Sequence, residues 1–157
     1  MCVIVDANLA ARVFREPPEA DFAPIFEWLR ARSGALVFGG RLASELEQMG
    51  NPRRRLRTLL RAGRALLIPD EVVHAEEEVI NATGHCRSND KHVVALARVS
   101  GARTLCTHDR DLQTDFRNPK LISAPRGSIY KRAEHAPLLK HTTSCGKLVK
   151  RTRRPRR

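Results

Sequence analysis

The residue pattern predicts an α/β fold: a three-layer α/β/α sandwich around a central, mainly parallel sheet. Three observations predict it. Short apolar, β-branched runs alternate along the chain with stretches of helical periodicity. Such alternation needs crossover connections, and crossovers lay helices over both faces of a sheet. Two of the apolar runs end directly before a carboxylate, at Asp6 and Asp109, and ligands of open α/β sheets sit beyond the carboxyl ends of strands.

The elements follow in order. Residues 3–5, Val-Ile-Val, read as a buried strand, and 8–15 as a short helix. From about 19 to 32, Phe22, Ile25, Phe26 and Leu29 recur at helical spacing until Gly34. Trp28 flanks that stripe and reads as core or its rim. Residues 35–38 form a second strand and 41–49 a third helix, stopped by Gly50-Asn51-Pro52. A basic helix over 53–62 buries Leu56, Leu59 and Leu60. Then come a strand at 65–68, an acidic helix at 70–82, a loop at 83–88, a helix at 89–100, a strand at 104–107 and a helix at 110–116. Residues 121–123 and 128–130 read as short strands around a Pro-Arg-Gly turn.

The 157 residues suffice for one domain with a core and are too few for two. No apolar run reaches the roughly 18 residues of a membrane span. The N-terminus lacks the basic region of a secretory signal, so a cytoplasmic protein is expected. Cys2, Cys86, Cys106 and Cys145 form no CxxC pair and are expected as free thiols rather than a disulfide framework. The formal charge is +12. Residues 117–157 hold 13 of the 29 Lys and Arg but one of the 17 Asp and Glu, Glu134, so 16 of each sign remain elsewhere. The whole cationic excess therefore lies C-terminal. Residues 147–157 read as a basic, disordered tail suited to a polyanion.

Two further acids stand on core-facing stripes. Leu42, Leu46 and Met49 mark the inner face of their helix, and Glu45 falls within it while Glu47 points away. Val93, Val94 and Ala97 mark the next, with Asp90 at its first turn. Buried carboxylates that face one another raise each other's pKa and call for a basic side chain or a divalent cation. The macrodipole at a helix start is the plainer reason for an acid at Asp90. His85, Cys86, His92, Cys106, His108, His135, His141 and Cys145 are scattered, without zinc-like spacing. A Gly-rich phosphate loop and a GxSxG motif are both absent from the sequence.

Taken together, VIVDAN at 3–8, LASELEQ at 42–48, SNDKHVVALARVSGA at 88–102 and TLCTHDRDL at 104–112 resemble the PIN-domain family in order and spacing. That family includes prokaryotic toxin nucleases similar to the VapC type and RNA-processing endonucleases. The resemblance covers residues 1 to about 116, and PRGSIYKRAEH at 125–135 is similar to an extension carried by some bacterial members. It implies a nuclease domain over 1–146 and a Mg²⁺- or Mn²⁺-dependent endoribonuclease. Asp6, Glu45, Asp90 and Asp109 would be its catalytic, metal-holding acids. It also implies that Asn8 and Thr107 position water or phosphate. Asp111 is the competitor for the fourth acid, but 109, 112, 113 and 116 share one face. Arg53, Arg54, Arg57, Lys150 and Arg151 are the candidate contacts to the RNA backbone. Toxin-like members bring an antitoxin or a homodimer partner into expectation. The alternatives are a non-catalytic RNA-binding or assembly module on the same fold, and a phosphotransfer domain with Asp6 as nucleophile. A haloacid-dehalogenase-like version of the latter would want an acid where Asn8 stands.

Overall fold

A computed structural model describes residues 2–31, 34–123 and 125–140. Its elements are β1 (Cys2–Val5), α1 (Ala7–Val13), α2 (Ala23–Arg30), β2 (Ala35–Gly39), α3 (Gly40–Glu47), α4 (Gly50–Arg61), β3 (Ala65–Ile68), α5 (Asp70–Thr83), α6 (Lys91–Ser100), β4 (Thr104–Cys106), α7 (Arg110–Arg117), β5 (Ser128–Tyr130) and a 3-10 helix (Ala133–Lys140). The five strands form one sheet in the order β3-β2-β1-β4-β5, every pair parallel. The α/β class expected from the sequence is the class observed.

The registers Cys2↔Ala35, Ile4↔Leu105 and Cys106↔Tyr130 bind the central strands. Strand β1 carries an unbroken apolar run and every residue of β1 and β4 is buried, as in central parallel strands. Right-handed crossovers put α1–α4 on one face and α5–α7 on the other. The packing agrees: α1 touches α2, α3 and α4, while α6 touches α5 and α7. Helix α3 also touches α5 and α6. It starts where β2 ends and leans over the carboxyl edge of the sheet, joining the two layers.

Several boundaries differ from the sequence expectation, each for a local reason. Helix α2 starts only at Ala23, with Pro24 in its first turn. The Gly50-Asn51-Pro52 stretch ends one helix and opens α4, since a first-turn proline lacks only an N–H the helix does not use. Asp90 is the N-cap of α6 rather than a first-turn residue, and Asp109 is the N-cap of α7. Residues 121–123 are a turn, not a strand. Leu121 and Ile122 donate to the Asn118 carbonyl, and the Arg103 guanidinium takes the Ser123 and Pro125 carbonyls. The 3-10 helix was not expected; it packs on α2 and β5.

Trp28 does lie at the rim of the core, over Gly34. A Cβ at Gly34 would stand 2.0 Å from the indole, so only glycine fits. Cys106 and Cys86 are free, but Cys2 is disulfide-bonded, which corrects the expectation of a free thiol there. The basic segment 147–157, with Lys150 and Arg151, lies outside the described residues. Among the described residues, no helix is long and apolar enough to cross a membrane.

Candidate functional site

The chain runs from β1 outward through β2 to β3, then crosses back to β4 and β5. The direction of winding therefore reverses between β1 and β4. A crevice opens at the carboxyl ends of two strands that part in this way, and it is the usual ligand site of such sheets. Asp6 follows β1 and Asp109 stands three residues past β4.

Thr107 joins them. Its hydroxyl donates to Asp6 Oδ2 at 2.8 Å and accepts from the Asp109 backbone N–H at 3.1 Å. It is fully buried. The hydroxyl thereby ties the two acids together. Gln113 supports it by donating to the Thr107 carbonyl at 3.2 Å. Asp109 Oδ1 accepts from Leu112 N at 3.1 Å and so caps α7, which fixes its direction. Asp111 is exposed on the outer side of that helix. Asn8 is exposed too; its backbone N–H donates to Asp6.

Asp6 is 4% exposed. Burial raises its carboxyl above the usual range, and the charges of Asp90 and Asp109 add to the rise, against the Thr107 bond. Burial also raises Glu45, opposed by Arg41 and reinforced by Asp90 and Asp6. Asp6 thus feels Asp90 and Asp109, and Glu45 feels Asp90 and Asp6, although the four acids come from four separate segments. Among the described residues, no three His, Cys, Asp or Glu side chains stand close enough as placed to hold an ion together.

Glu45 has an unusual position. Arg41 Nε lies 3.6 Å and His92 Nε2 3.3 Å from its Oε1. Neither contact has hydrogen-bond alignment, so Oε1 is sealed from solvent without a donor. A buried acceptor left so is costly and calls for a donor or a cation.

Asp90 is presented by the loop before α6. Its backbone N–H donates to Ser88 Oγ at 2.9 Å. That loop is held in turn by Asp115, a carboxylate 1% exposed on α7. Asp115 accepts from Ser88 N at 2.7 Å, Arg87 N at 2.9 Å and Cys86 Sγ at 3.1 Å. One helix thereby carries Asp109 and anchors the support of Asp90. The sequence reading missed Asp115 and used His92 only as a scattered histidine. An inward polar residue between Leu112 and Phe116 was the available signal, but no spacing rule links it to residues 86–88. Arg53, Arg54 and Arg57 lie on the exposed side of α4, with Arg57 3.9 Å from Glu47; none contacts the four acids.

No protein-family model, no curated protein and no solved structure matches this chain.

Proposed function

We propose that this chain is a divalent-metal-dependent ribonuclease that hydrolyses RNA phosphodiester bonds, with Asp6, Glu45, Asp90 and Asp109 holding Mg²⁺ or Mn²⁺. One observation carries the reading. Two acids leave adjacent strands at the point where the winding of the sheet reverses, with the Asp90 charge acting on Asp6 and the charges of Asp90 and Asp6 acting on Glu45.

The donor set fits a hard cation. All four ligands would be carboxylate oxygens, as Mg²⁺ and Mn²⁺ prefer. The sealed Oε1 of Glu45 has lone pairs that no protein donor uses. Without a cation this cluster repels phosphate; a divalent ion offsets much of that negative charge. When bound, the ion lowers the pKa of water and neutralises charge on the phosphate oxygens. The chain's own groups do the positioning. Thr107 fixes Asp6, the α7 cap fixes Asp109, and Ser88 with Asp115 fixes Asp90. In this reading the protein works in the cytoplasm as toxin-like nucleases do, with an antitoxin or a second copy as partner.

The test is incubation of purified protein with single-stranded RNA in Mg²⁺ or Mn²⁺, with and without EDTA. Cleavage that stops on chelation is expected. Cleavage indifferent to chelation would overturn the metal mechanism.

A further inference from the structure

A cavity of about 510 Å³ opens beside the acids, between α3, α5 and the start of α6. Its lining includes Arg41, Ser44 and Lys91 on one side and Asp70 and Glu77 on the α5 side. His92 also lines it; the ring is 4% exposed. The cavity joins the proposed reaction centre through three residues. Arg41 and His92 face Glu45 Oε1, and Lys91 follows Asp90 directly.

We infer that this cavity is a nucleotide subsite of the substrate strand, taking the residue next to the scissile phosphate; the inference rests on the ribonuclease reading. The charge layout selects this ligand class. Arg41 and Lys91 offer cationic donors to a phosphate. Asp70 and Glu77 across the cavity oppose a ligand that is anionic throughout, such as free phosphate or a polyphosphate. A nucleotide within a strand is anionic at one end only, and its base carries amino donors that carboxylates accept. The volume is that of a small-molecule site and exceeds what a phosphate alone needs. Gly40, at φ +55°, borders the cavity, and a Cβ there would stand 3.0 Å from the Val73 side chain.

The experiment measures binding of a fluorescently labelled single-stranded RNA hexamer with hydrolysis-resistant phosphorothioate linkages to the full chain, at fixed Mg²⁺ across a monovalent-salt series. Arg41→Ala and Lys91→Ala should each weaken binding by about tenfold and lower the salt slope by about 0.7, the share of one phosphate contact on a single strand. Lys120→Ala, a remote exposed lysine, should change it less than about twofold, as surface substitutions do. Adenosine 5′-monophosphate should displace the hexamer at concentrations where inorganic phosphate does not. Equal displacement by inorganic phosphate, unchanged binding in both variants, or no measurable binding by the native chain each overturns the subsite. Cleavage assays on the same proteins separate the two readings. Binding that depends on Arg41 and Lys91 without any cleavage sinks hydrolysis and leaves the subsite. Cleavage whose KM ignores both residues sinks the subsite and leaves hydrolysis.

Discussion

Replacing Asp115 by alanine should destabilise the chain markedly. The carboxylate is buried and accepts from the Ser88 and Arg87 backbone N–H groups and the Cys86 thiol. The three donors do not lose equally. Ser88 is 3% exposed, so its N–H finds no water once the acceptor is gone. A buried orphan donor of that kind costs about 1–3 kcal/mol. Arg87 is exposed, so water replaces its lost partner and the loss stays near 1 kcal/mol. The thiol is a weak donor and adds little. The sum, about 2–4 kcal/mol, lowers Tm by roughly 5–15 °C for a chain of this size. Scanning calorimetry measures it directly. Hydrogen exchange adds the location: the Ser88 amide should lose protection before the amides of β1 do. Asp115→Asn should fall between, since its amide keeps one acceptor and turns a donor toward another. Cys86→Ala should cost less than about 1 kcal/mol, as a weak bond at a half-buried site. A Tm within 2 °C of native for Asp115→Ala, or unchanged Ser88 exchange, would refute the role assigned to this carboxylate.

Asp6→Asn, Asp90→Asn and Asp109→Asn should each abolish cleavage and keep the native circular dichroism spectrum, while Asp111→Asn stays active; the reverse result for 109 and 111 would move the fourth acid. Asp6 binds its proton more readily folded than unfolded, so its contribution to stability is complete below the unfolded value near 3.8 and is lost as pH rises through the higher folded one. In chelator, native protein should therefore lose stability relative to Asp6→Asn as pH climbs above that value, and urea midpoints across pH that stay parallel would contradict it. Thr107→Val removes the 2.8 Å bond that opposes this rise; it should destabilise by about 1.5–3 kcal/mol at neutral pH, the worth of a bond to a charged group, and by less in acid, as denaturation at the two pH values would show. Deleting residues 147–157 removes seven Lys and Arg and no acid; RNA binding should weaken and its salt slope flatten, with single-turnover cleavage at saturating enzyme preserved, and a collapsed rate would place the segment in the site or the fold.

Much of the architecture was legible because its causes are local. Val3–Val5 reads as a buried strand from β-branched residues alone, and the spacing of Phe22, Ile25, Phe26 and Leu29 reads as a helix from its period. Asp6 and Asp109 stood out because each lies just beyond a strand-like run, and Glu45 because it interrupts an apolar stripe. Strand order was not legible, since hydrogen bonding between β1 and β4 joins residues about a hundred positions apart and leaves no mark on either segment. Only that order shows where the winding reverses, and hence why Asp6 and Asp109 share a crevice. The partners of the acids were hidden for the same reason. Thr107 reaches Asp6 across 101 positions, and Asp115 reaches Ser88 across 27. His92 reads from sequence as one of several scattered histidines, and the chain has to fold before its ring meets Glu45. Periodicity tells which face of an element is buried; what a polar group on that face meets is decided by the element packed against it.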